Sequence, residues 1–70
     1  MITQFELYTD SQLIDALVER FGWKQVEIAN RFTVTEAAVS MARSGKNKLR
    51  STLRKAMIEQ LRQLEDQAEN

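Results

Sequence analysis

Residues 23–45 read WKQVEIANRFTVTEAAVSMARSG, and this stretch decides the fold. Ile28, Ala29 and Phe32 have the i, i+1, i+4 spacing of one buried helical side, which predicts a helix over 24–32. Lys24, Gln25, Glu27, Asn30 and Arg31 fall mostly on its outer surface. Thr33-Val34-Thr35 then breaks the pattern. An apolar Val34 in the middle of a turn makes sense if it plugs the angle between two helices, and Thr35 supplies the N-cap hydroxyl for the second. That second helix, over 36–43, has Val39 as its one large aliphatic anchor, with Ala38 and Ala42 beside it. Most of its circumference is therefore free, as in a helix presented to something. Ser44-Gly45 ends it and Lys46-Asn47-Lys48 follows as a basic loop. Trp23, at the entry, is expected to pack over the junction with the preceding helix.

Upstream, Thr9-Asp10-Ser11-Gln12 marks a helix start: Thr9 and Gln12 fit a capping box, with Asp10 or Ser11 as alternative caps. Leu13, Ile14, Leu17, Val18 and Phe21 form a single apolar face, and Gly22 supplies the left-handed stop. Residues 1–8, MITQFELY, alternate loosely; a short strand, an arm or an extended lead-in fits them. We read them as an extended lead-in that lays Phe5 and Leu7 on the core.

Downstream, Asn47 is a plausible N-cap for a long final helix over about 48–68. Its stripe is Leu49, Leu53, Ala56, Met57, Leu61, Leu64 and Ala68. Glu59, Arg62, Glu65 and Asp66 flank the stripe as in a short coiled-coil seam. The first half is expected to dock on the core. Leu53, Met57, Leu61 and Leu64 form the expected dimer interface, the N-terminal segment being the other possible pairing surface.

Seventy residues allow one small all-α domain, and without cysteine or histidine nothing staples it or ligates zinc. Proline is absent and hydrophobic residues make up 43% of the chain. No run approaches the ~18 apolar residues of a membrane span, and no secretory signal is evident, so a cytoplasmic location is expected. The net charge is +0, but its distribution is uneven: 1–22 carry −3, 23–55 carry +6 and 56–70 carry −3. A basic middle between acidic ends is the layout a phosphate backbone would meet. Nothing suggests an enzyme or a cofactor: there is no glycine-rich phosphate loop and no evident carboxylate pair in a cleft.

Residues 25–47 resemble the helix-turn-helix of the Cro-type and related phage repressors, over about a third of the chain. Gln25 opens the first motif helix, Ile28-Ala29 sits at its centre, Val34 is the apolar turn residue and Val39 the inward aliphatic of the recognition helix. Two positions depart from the family pattern. Thr33 stands where glycine usually begins the turn, and Ala42 where a larger apolar residue is more common.

The resemblance implies that the second motif helix enters the major groove of duplex DNA. Thr35, Glu36, Ala37, Ser40 and Met41 would then face bases, Glu36 having a rival role at the helix N-terminus. Lys24, Gln25, Arg43, Lys46, Asn47 and Lys48 would contact phosphates. The implied function is a repressor acting as a homodimer on a palindromic operator, nucleoid-associated when bound. The alternative is a helix-turn-helix protein-interaction module, an anti-repressor or antitoxin-like adaptor without direct DNA binding.

Overall fold

The computed structural model describes residues 4–69, and among them the chain is all-α, with no strand. A 3-10 turn, Gln4–Leu7, leads into α1, Asp10–Asp15, which continues into a π-helical turn, Ala16–Arg20. Then come α2, Gln25–Phe32; α3, Glu36–Arg43; and α4, Ser51–Glu69. α3 packs against both α1 and α2, while α4 packs against α1 and the N-terminal turn.

The helix starts follow local chemistry. Thr9 and Gln12 form the expected capping box, in which the Thr9 hydroxyl accepts from the Gln12 N–H and the Gln12 side chain accepts from the Thr9 N–H at 2.8 Å. Thr35 accepts from the Ala38 N–H at 3.0 Å to begin α3. The helix ends share one device, a left-handed residue just past the last turn. Gly22 (φ 73°), Thr33 (φ 59°) and Gly45 (φ 85°) fill that role, and Thr33 alone lacks the freedom of glycine.

The core consists of Phe5, Leu13, Ile14, Ala16, Leu17, Ile28, Ala29, Val39, Ala42, Met57 and Leu61, all buried. Trp23 and Val34 pack against it as partly buried residues, in keeping with their expected positions at the two junctions. Ala29 and Ala42 are both buried, so small side chains sit where α2 and α3 meet the core.

Four expectations are corrected. First, the lead-in is not extended over the described residues. Its 3-10 turn brings residues three apart onto one side, so Phe5 is buried beside Tyr8, with ring centroids 5.4 Å apart, edge to face. Leu7 faces away and is 80% exposed. The expectation for residues 1–3 lies outside the described residues. Second, the first helix widens to π geometry over its last turn, where the Trp23 N–H reaches back to the Leu17 carbonyl at 3.0 Å. Third, α4 begins at Ser51, not near 48, and Asn47 does not cap it. The Leu49 N–H instead donates to the Asp10 carboxylate at 2.9 Å, which ties this connection to the start of α1.

Fourth, Met57 and Leu61 are fully buried within the single chain. They belong to its own core and are not available to a partner in this fold. Leu53 and Leu64 are partly buried against the same core. A 70-residue domain with only three helical layers to share needs these side chains for itself, since small domains bury a modest fraction of their surface.

Candidate nucleic-acid interface

α3 is anchored by Val39 and Ala42, both buried, with Ala38 half-buried beside them. Its opposite face is Glu36, Ala37, Ser40, Met41 and then Ser44, the i, i+1, i+4, i+5, i+8 set of one helical side, and every member is exposed. Thr35 is exposed as well, although its hydroxyl is occupied in capping. All five residues expected to face bases are thus brought to one accessible surface. Glu36 lies in the first turn, where a carboxylate also favours the helix dipole.

The exit from α3 turns the chain sharply. The Lys46 N–H donates to the Met41 carbonyl at 2.9 Å and the Gly45 N–H to the Ala42 carbonyl at 3.2 Å, the paired bonds of a glycine-terminated helix. Lys46, Asn47 and Lys48 follow directly and are exposed. The Asn47 amide lies 3.6 Å from the Met41 sulfur, so the basic loop touches the exposed helical face. At the start of α2, Lys24 is exposed and Gln25 half-buried. The Lys24 backbone N–H donates to Glu27 Oε1 at 3.0 Å, leaving the Lys24 ammonium to solvent.

Arg43 is the exception among the expected phosphate contacts. Its Nε lies 2.6 Å from Asp15 Oδ1 and its terminal nitrogen 3.4 Å from Glu19 Oε1. The Ser11 hydroxyl donates to the Arg43 carbonyl. The side chain therefore joins the end of α3 to the first helix, and it is not free to meet a phosphate. Arg54 is likewise taken up: it pairs with Asp10 at 2.9 Å and donates to the carbonyls of Glu6 and Tyr8. Among the described residues, Lys24, Arg31, Lys46, Lys48, Arg50 and Lys55 make no ion pair.

Arg31 had no assigned role in the sequence. It lines an open cleft of about 900 Å³ between the α2–α3 turn and α4, together with Lys48 and Arg50. Phe32, Val34 and Leu53 supply apolar wall to the same cleft. Helical periodicity places Arg31 outward but carries no information on which distant segment it will face. Compared with protein-family models, curated proteins and solved structures, the chain matches none.

Proposed function

We propose that this chain is a sequence-specific DNA-binding transcriptional regulator of the Cro-like repressor class, with α3 as its recognition helix. The observation that carries the reading is the division of α3 into a two-residue anchor and a fully exposed opposite face. Such a helix gains little from its own domain and offers most of its surface to a groove. Cations left unpaired at Lys24, Lys46 and Lys48 stand at the start of α2 and just past the end of α3. Bonds from such positions to phosphate orient a protein on the duplex without reading sequence.

One α3 reads only a few base pairs. The chain's longest extent is 33 Å and it holds a single such helix, whereas successive major-groove faces recur about every 34 Å. The reading therefore includes a homodimer on a palindromic operator. Its pairing surface does not include Met57 or Leu61, which are spent in the core.

The test is a lysine series against salt. Lys46→Ala and Lys48→Ala should weaken binding to all duplexes about equally, each lowering the slope of log K against log salt by about 0.9. Variants that bind every duplex with the wild-type slope would remove the loop from the interface.

A further inference from the structure

We infer that α3 reads its site through thymine methyl groups, so that the favoured half-site presents thymine 5-methyls to Ala37 and Met41. This rests on the proposed DNA-binding function and adds the chemistry of the sequence being read. The ground for it is what the exposed face of α3 contains once the structure has removed the groups already in use.

Guanine is most often read by a bidentate arginine or lysine, and adenine by a bidentate asparagine or glutamine. The exposed face of α3 carries none of these. Arg43, the one guanidinium on the helix, is turned back onto Asp15 and Glu19. The Thr35 hydroxyl accepts from the Ala38 N–H, and the Ser44 hydroxyl donates to the Met41 carbonyl at 3.0 Å. Two polar heads remain. Glu36 only accepts, which suits an exocyclic amine, and the Ser40 hydroxyl suits either edge.

What is left is apolar: the Ala37 methyl and the Met41 thioether, Met41 being 40% exposed. In the major groove the apolar feature of a base pair is the thymine 5-methyl. Met41 is also held in place, because the Asn47 amide meets its sulfur at 3.6 Å. Asn47 is accordingly a positioning residue for a methyl-reading side chain, in addition to any bond it makes to phosphate.

The experiment begins with a duplex selected from a random pool by the full chain. Thymines in its half-sites are replaced by uracil, which removes only the methyl; an equal number outside the half-sites serves as control. The expected result is about a fourfold loss of affinity per contacted methyl, the transfer value of one buried methyl-sized group. Control duplexes should bind unchanged. Met41→Ala, at an exposed position, should shrink the thymine-to-uracil ratio while keeping the wild-type salt slope. Equal binding of thymine and uracil duplexes with a steep salt dependence would overturn this inference and leave the DNA-binding reading intact. A selected site without thymine in its half-sites, or an unchanged ratio in Met41→Ala, would overturn it too. Absence of salt-dependent binding to any duplex would overturn both.

Discussion

Thr33 carries the clearest strain in the chain. A β-branched residue at φ 59° and ψ 47° sits where glycine is favoured. The left-handed conformation costs an L-residue about 1–2 kcal/mol, and glycine gives back about 0.5–1 kcal/mol of that as backbone entropy. Thr33→Gly should therefore stabilise the fold by about 0.5–1 kcal/mol. In a domain of this size, each kcal/mol moves the melting temperature by about 4–8 °C, so calorimetry should register a rise of a few degrees. An unchanged or lowered Tm would mean the turn is not strained. This feature was legible in the sequence, because the need for a left-handed residue follows from two helices joined by three residues. Arg43 was not legible. Its charge and its place beside the basic loop suggest phosphate, and only the packing of α3 on α1 reveals Asp15 and Glu19 as its partners. Arg43→Ala should thus leave the salt slope of DNA binding at its wild-type value, and a lower slope would return this residue to the interface.

At the level of elements, the starts and stops of helices follow rules that act within a few residues, and these were readable at Thr9, Gly22, Thr35 and Gly45. The start of α4 was not, because it depends on bonds spanning some forty positions of chain. Asp10 accepts from both the Leu49 N–H and Arg54, and Arg54 also reaches the carbonyls of the N-terminal turn. One acidic side chain and one basic one thereby fasten the 3-10 turn, α1 and α4 together. Hydrogen bonds to charged groups contribute about 1.5–3 kcal/mol each, with partial exposure lowering the return. Asp10→Ala and Arg54→Ala should each destabilise the fold by roughly 1–3 kcal/mol. The double variant should lose clearly less than the two single losses combined, since both remove one contact. Simple additivity in a denaturant double-mutant cycle would show that the two side chains act separately.

Across the whole molecule, the long apolar stripe of α4 posed the choice between an internal core and a partner chain. Sequence periodicity identifies a face to be buried but not what buries it, so Met57 and Leu61 read equally well either way. The fold resolves it: both are fully buried by α1, the N-terminal turn and their neighbours. Leu61→Ala should cost about 2–5 kcal/mol, against a total stability on the order of 4–10 kcal/mol for a chain of this length. The expected outcome is a large drop in Tm and not a folded monomer. A variant that sediments as a monomer and melts like the wild type would show that Leu61 serves an interface after all.

The exposed face of α3 is accessible in the single chain, so the central claim is that this face, flanked by unpaired lysines, binds duplex DNA. The most direct measurement is fluorescence anisotropy of the full chain on a labelled duplex selected from a random pool, followed from low to high salt. The account predicts saturable binding with log K falling steeply and linearly with log salt, by about 0.9 for each phosphate contacted. It also predicts a palindrome in the selected sequence. A flat line, or no binding at low salt, would contradict it.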